Sequence, residues 1–177
     1  MVATRGWSRP TRNLSLGTDC ACVQLGMSAR HGVMKTSLSP SEVAHAWFQR
    51  VWNDRDDAAV DEMLNPQGSI VGISARDATA LTGPAEFRAF RDAIFSILPD
   101  IRVEVSKVIT DGDWVAVRFT CAGTHTGDGL GMKASGRSVA FSSMGMGRVQ
   151  NGQWVEGWNL VDFISLERQV GGTLVFG

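Results

Sequence analysis

Beyond Pro99 the apolar residues of this chain change their period from helical to two. "IRVEVSKVI" alternates cleanly, "TDGD" supplies a turn, and "WVAVRFTCAG" alternates again. A glycine-rich stretch leads to "RSVAFSSMGMGRV", and "QNGQ" turns tightly into "WVEGWNLVDF". Asn-Gly between two such runs is a strong local signal for a hairpin. The C-terminal half is therefore expected to be a run of antiparallel strands.

The segment before it reads as helices. "SPSE" offers Ser39 as an N-cap, Pro40 at the first helical position and Glu42 to close a capping box. Val43/Ala44, Trp47/Phe48 and Val51/Trp52 then recur at helical spacing. "RDDAAVDEML" (55–64) predicts a short second helix stopped by Asn65-Pro66, and "SIVGI" (69–73) a short strand. "GPAEFRAFRDAIFSIL" begins with Pro84 near its start and sets Phe87, Phe90, Ile94 and Leu98 on one face, which predicts a third helix. Helices followed by antiparallel strands imply an α+β fold, a curved antiparallel sheet wrapped around about three N-terminal helices. Such a sheet encloses a pocket between its concave face and the helices.

Composition bounds what the pocket serves. At 177 residues with 44% apolar content, the chain can bury one real core. A formal net charge of -1 leaves no electrostatic footprint for nucleic acid or an anionic membrane. There is no apolar run of the ~18 residues that spanning a bilayer takes. Cys20, Cys22 and Cys121 form neither a disulfide framework nor a metal-ligand spacing, which fits a reduced, cytoplasmic setting. Residues 1–38 stand apart: Arg5, Arg9, Arg12, Arg30 and Lys35 face one acid, Asp19, without a clean period. They are expected to be a disordered basic arm, or an artefact if Met27 or Met34 is the natural start. Residues 39–171 form the expected domain and 172–177 a tail.

"VWNDRDDAAVDEML", "GPAEFRAF", "LPDIRVEVSKVITDGDWVAVRFTCAGTHTGDGLGM", "GRSVAFSSMGMGRVQNGQWVEGWN" and "DFISLERQVG", in this order, resemble the SnoaL-like polyketide cyclases of the nuclear transport factor 2-like superfamily. The resemblance spans about residues 41–171 and implies the conical α+β fold just argued. It is less specific for a reaction, because the superfamily hosts cyclases, isomerases, dehydratases, epoxide hydrolases and non-catalytic binders. For the cyclases it implies a late-strand aspartate, here Asp162, as acid/base of an intramolecular aldol closure. Flanked by Val161 and Phe163, Asp162 is expected to have a raised pKa against an apolar wall. The alternative is a structural aspartate bonded to backbone amides or to an arginine at a strand end. The outer face of the sheet is the usual assembly surface in the family, which implies a homodimer or higher oligomer.

Further site residues follow with alternatives open. Asn159 is a candidate donor to a developing enolate, although strand alternation puts it on the face opposite Asp162 unless a bulge intervenes. His125, in "GTHTGDG", either bonds a substrate carbonyl, orients Asp162, or is a loop residue at the cavity mouth. Arg118 and Thr120 share one strand face and line the cavity if that face is concave. Phe119, Met144, Met146, Trp47 and Trp158 would give a soft lining for an apolar, carbonyl-bearing, polycyclic or terpenoid-sized ligand. Each of them is otherwise ordinary core. Many relatives carry a histidine where this chain has Gly72, a substitution expected to widen the cavity. Epoxide-hydrolysing cousins use Arg-x-Asp on the middle strand, where Arg118-Phe119-Thr120 lacks the carboxylate.

No metal or cofactor is expected. His31, His45 and His125 are scattered, and no G-x-S-x-G elbow or dinucleotide fingerprint occurs. "GDGLG" joins strand to strand without a helix N-terminus to receive a phosphate. The expectation is a cofactor-independent enzyme acting on a carbon acid. The alternatives are a non-catalytic binding or dimerising module, or a related isomerase, dehydratase or hydrolase using the same aspartate.

Overall fold

The computed structural model describes residues 38–73, 80–129 and 131–171. The expected basic arm, apart from Leu38, and the expected tail lie outside the described residues. Helix α1 (Pro40–Ala46) opens on the expected capping box: the Ser39 hydroxyl accepts from the Glu42 amide at 3.3 Å, and the Glu42 carboxylate accepts from the Ser39 amide at 2.8 Å. The chain then widens into a π-helical segment, Trp47–Asn53, that buries Trp47, Phe48 and Val51. At its end the Asn53 side chain donates to the Val103 carbonyl at 2.9 Å and accepts from the Val103 amide at 2.8 Å, tying the helix to the sheet.

Helix α2 (Asp57–Met63) is capped by the Asp56 carboxylate, which accepts from the Ala59 amide at 3.2 Å. It stops before Asn65-Pro66, because Leu64 already turns extended and starts strand β1 (Leu64–Val71). The strand is thus longer than the expected 69–73 run. Pro66 is tolerated there because the pairing of β1 is irregular between Leu64 and Ser69, where a ladder amide is not required. Strand β2 (Leu81–Thr82) leads into α3 (Gly83–Ile97), which matches the expected third helix. On α3, Arg91 is buried and pairs with Asp57 at 2.5 Å and Asp92 at 2.9 Å, so a charge that burial alone would penalise instead clamps α3 to α2.

Strands β3 (Arg102–Asp111), β4 (Trp114–Thr124), β5 (Ser138–Gln150) and β6 (Gln153–Val161) form the expected antiparallel meander. Asn151 and Gly152, both at positive φ, make the tight β5–β6 turn. The six-stranded sheet has the order β2-β1-β6-β5-β4-β3, and it is curved and unclosed. It is not wholly antiparallel, because β1 lies parallel to β6. That pairing sets Ile70 against Gly157 and Val71 against Trp158, 87 residues apart in the chain, beyond the reach of any local turn signal.

A fourth helix, α4 (Phe163–Val170), follows β6 directly and ends at Gly171 in the left-handed conformation. The sequence reading carried the apolar run on as strand. Period two gives way here to Phe163, Leu166 and Val170 at helical spacing, with Asp162 as N-cap and a glycine closing the C-terminus. Among the described residues no helix is long and apolar enough to cross a membrane, which says nothing of β-barrel proteins.

The core lies between the concave face of the sheet and the helices. Val115, Val117, Phe119 and Cys121 of β4 point into it, as do Val139, Phe141 and Ser143 of β5. Phe48 packs on Phe119 at 4.6 Å between ring centroids, and Trp47 on Phe87 at 4.9 Å. Burial pushes the Cys121 thiol up to about 12, so the thiolate is nearly absent at neutral pH. Cys121 is accordingly expected to resist iodoacetamide at pH 8 in the native protein and to label fully in denaturant, read by peptide mass spectrometry. Rapid native labelling would show that the core opens readily at this strand.

Candidate functional site

A cavity of about 130 Å³ sits between the concave face and the helices. Two features of sequence hollow it out. The inward positions of β5 and β6 include Gly145 and Gly157, which bring no side chain into the space, whereas Trp47, Trp52, Phe87, Phe90 and Phe119 wall it with aromatic carbon. Trp52, Phe90, Ile94, Val161 and Phe163 line it while half-buried, so solvent reaches the lining there. The volume is close to that of a cavity that holds one aromatic ring. A polycyclic ligand would place one end inside and extend the rest beyond.

The polar groups of the lining are few. Ser143 is 3% exposed, and its hydroxyl has no hydrogen-bond partner among the described residues. The neighbouring Cys121 thiol is a weak partner and makes no hydrogen bond of normal geometry with it. Trp154 is 8% exposed, and its indole N–H is likewise buried without a partner. Leaving such a group unmade costs about 1–3 kcal/mol. Asn159 completes the set, and Glu156 borders the cavity but is paired with Arg148.

Asn159 is held by two close approaches. A Cβ on Gly145 would stand 2.7 Å from the Asn159 Oδ1, and a Cβ on Gly72 would stand 2.1 Å from the Asn159 carbonyl oxygen. Gly72 also has φ +77°. Glycine at 72 therefore lets β1 pass against the β6 backbone. It does not line the cavity, so the expected widening by a missing side chain is not what this position does.

Asp162 takes a different position from the expected one. Its side chain is the N-cap of α4: one carboxylate oxygen accepts from the Ser165 amide at 2.9 Å and the other from the Ser165 hydroxyl at 2.7 Å. The Ser165 hydroxyl, then its amide, holds the carboxyl below the ordinary value, the reverse of the expected rise. Asp162 itself is exposed and outside the lining, although Val161 and Phe163 on either side belong to it. Strand alternation explains this: 157, 159 and 161 turn inward, and 162 turns out to meet the first turn of the helix. Asn159 and Asp162 thus lie on opposite faces, and no bulge reverses them.

Trp47, Phe119 and Asn159 are the expected site residues that the structure brings together in the cavity. Arg118, Thr120, Met144 and Trp158 belong to the outer face: Arg118 pairs with Met144, Thr120 with Ser142, and Met146 with Trp158. Met146 borders the cavity while half its surface is exposed. These residues do share a face, but it is the convex one. On β4 the odd positions Val115, Val117, Phe119 and Cys121 are uniformly apolar and mark the inner parity, whereas β5 carries apolar residues at both parities, so its pattern alone does not say which side Met144 and Met146 take.

His125 is fully buried but is not part of the lining. Its Nδ1 lies 3.1 Å from the Ser135 hydroxyl, and its carbonyl accepts from the Ser135 and Gly136 amides, so it pins the β4–β5 connection. Ser143 and Trp154 were missed by the sequence reading. The signal for Ser143 was the odd-numbered register shared with Val139 and Phe141, in which a serine interrupts a buried apolar row, and no such pattern marks Trp154 on β6. Among the described residues, no three His, Cys, Asp or Glu side chains converge.

A mixed, unclosed sheet folded over helices around an apolar cavity defines the small α+β cone of the nuclear transport factor 2-like class. Residues 42–170 match the family model of the SnoaL-like polyketide cyclases, and the chain belongs to that family. Similar solved structures include a SnoaL-like polyketide cyclase from Jannaschia sp. CCS1 (TM-score 0.68, 22% identity, 76% of this chain and 93% of that one). IdmH, named as a polyketide cyclase, from Streptomyces antibioticus gives TM-score 0.68 at 24% identity over 76% of this chain and 99% of that one. AclR, named as a hydroxylase, from Streptomyces galilaeus gives 0.65 at 21% over 78% and 87%. At these identities the likeness is one of fold. Among curated protein sequences none matches this chain.

Proposed function

We propose that this chain is a cofactor-independent cyclase-type enzyme that closes a ring in an apolar, carbonyl-bearing molecule held in the cavity. The observation that carries the reading is the cavity itself, aromatic-walled and furnished with a few polar groups that the protein leaves unpaired. In the reaction, Asp162 removes a proton from carbon between carbonyls, the electron pair moves into an enolate, and the enolate carbon attacks a second carbonyl of the same molecule. The proton returns to the new alkoxide. Asn159 is the candidate donor to the enolate oxygen. Asp162 stands outside the lining beside Val161 and Phe163, so in this reading it acts on the part of the ligand that extends beyond the cavity, and two hydrogen bonds to Ser165 leave lone pairs on both oxygens free to take a proton. With its pKa depressed it is a weak base, ionised at neutral pH, which suits only an acidic carbon such as that of a β-dicarbonyl compound.

A second reading is favoured by one observation. The Asp162 carboxylate caps a helix and faces solvent, as a structural acid in a non-catalytic binding module would. Deuterium uptake from heavy water into β-dicarbonyl compounds and aromatic polyketide esters separates the two, since proton abstraction registers even without ring closure. Exchange above the uncatalysed rate is expected. Its absence with compounds shown to bind would leave the binding module.

The convex face is proposed as the contact with a second copy. Met144 (56% exposed), Leu160 (76% exposed), Ile109, Met146 and Trp158 are exposed together there, with Trp158 stacked on Trp114 at 5.8 Å. Arg148 and Glu156 pair with each other, so a partner need not supply charge to match either of them. This apolar face suits an identical face turned by a two-fold axis. Leu160→Glu is expected to raise the dimer dissociation constant roughly tenfold to a hundredfold in analytical ultracentrifugation. A wild-type protein that sediments as a monomer at high concentration would remove the proposal.

A further inference from the structure

We propose that helix α4 is a lid on the cavity, latched shut by the Gln169 side chain, and that ligand enters and leaves beneath it. The proposal rests on the cavity being a small-molecule site and says how that site is reached. Strand β6 pairs with β5 only from Ser143 onward, which leaves the β5 backbone before it without a strand on that side. The Asp162 amide donates to the Ser142 carbonyl at 3.2 Å, and the chain then turns off into α4. At Ala140 the Gln169 amide takes the place of the missing strand. Its Oε1 accepts from the Ala140 N–H at 2.8 Å, and its Nε2 donates to the Ala140 carbonyl at 2.8 Å. One side chain thus satisfies both backbone groups of an otherwise open edge. The Arg137 guanidinium adds a bond to the Gln169 carbonyl at 3.0 Å.

The inner side of α4 closes on the cavity. Leu166, 2% exposed, and half-buried Phe163 belong to the lining, whereas Ile164 and Arg168 face solvent. Other half-buried lining residues are Phe90 and Ile94 of α3 and Val161 just ahead of α4, so the exposed margin of the cavity includes the start of this helix. Eight residues are too few for a helix to hold in water by itself, so α4 persists because it is docked. Among the described residues, the side-chain hydrogen bonds that tie α4 to the sheet and its loops are those of Gln169 and Arg137. A segment fastened around one side chain opens locally far more readily than the strands beside it.

The test pairs amide hydrogen exchange with ligand kinetics. In the wild-type protein the amides of residues 166–170 should exchange by local opening, ahead of those of β4 and β5. Gln169→Ala removes the latch, and alanine, the best helix former, preserves the helix itself. It is expected to speed that exchange about tenfold, the effect of losing the hydrogen-bond pair. Gln169→Glu, whose carboxylate at neutral pH can accept from the Ala140 N–H but cannot donate to the carbonyl, should act in the same direction. The ligand probe is para-fluorotoluene, a neutral single ring, with affinity from titration and rates from fluorine NMR line shapes. A lid blocks passage both ways, so association and dissociation should both quicken about tenfold in Gln169→Ala while the dissociation constant stays within about twofold. A rise in dissociation alone marks the loss of an ordinary contact and overturns the lid. So does exchange of α4 only with global unfolding, exchange that Gln169→Ala leaves unchanged, or faster exchange with unchanged ligand rates. Local opening of α4 in a protein that does not bind the probe overturns both the lid and the reading of the cavity on which it rests.

Discussion

Asp162→Asn is expected to lower deuterium exchange and ring closure by about a hundredfold to ten-thousandfold, the range set by a positioned acid/base group. Ligand affinity and the unfolding midpoint should change little. The asparagine oxygen can still accept from the Ser165 amide, so the start of α4 keeps its cap while the base is lost. Asp162→Ala would confound the two roles and is the poorer variant. The pH dependence is a second signature. The Ser165 hydroxyl and amide depress the Asp162 pKa, so the acid limb of kcat/KM should fall below the ordinary carboxylate range. Ser165→Ala removes the larger of the two bonds and should move that limb upward. The cap's contribution to stability is present above the unfolded-state carboxyl pKa and is lost as pH falls through the lower folded value. Full activity in Asp162→Asn would reduce this residue to a helix cap.

Gly72→Ala should produce the largest loss of stability among single-methyl changes near the site. The residue sits at φ +77°, where an L side chain is strained, and the added carbon would lie 2.1 Å from the Asn159 carbonyl oxygen. The three nearest atoms all belong to the Asn159 backbone and none is a flexible side-chain end, so β1 and β6 must separate where they run parallel. A loss of at least about 2 kcal/mol is expected, from backbone strain and the displaced contact together. Urea unfolding checks the stability. The same substitution should weaken ligand binding in the cavity, because the moved backbone carries Asn159. A wild-type midpoint would mean that the two strands are not in contact at this point.

Much of the fold was legible from local chemistry. The capping box at Ser39 and Glu42, the apolar face of α3 and the Asn151-Gly152 turn each act within a few residues, and each recurs in the structure. Helix α4 was legible but overshadowed, because Asp162, Ser165 and Gly171 mark its ends while the apolar run around them reads equally as strand. The residues chosen for the pocket divided by parity. Phe119 shares its strand with Arg118 and Thr120, yet only Phe119 faces inward. Methionines at 144 and 146 suit a soft lining as well as they suit an assembly surface, and nothing in their spacing separates the two.

The sequence by itself determined the order of elements, the turns that join β3 to β6 and the ends of most helices, because capping, turn geometry and side-chain period are short-range forces. The tertiary structure alone decided which face of the sheet is concave, that β1 joins β6 in parallel, and that Ser143 and Trp154 meet a cavity while Asp162 turns to cap α4. Those outcomes depend on burying area between segments far apart in the chain. A strand that is apolar on both sides carries no local record of which side the helices will cover.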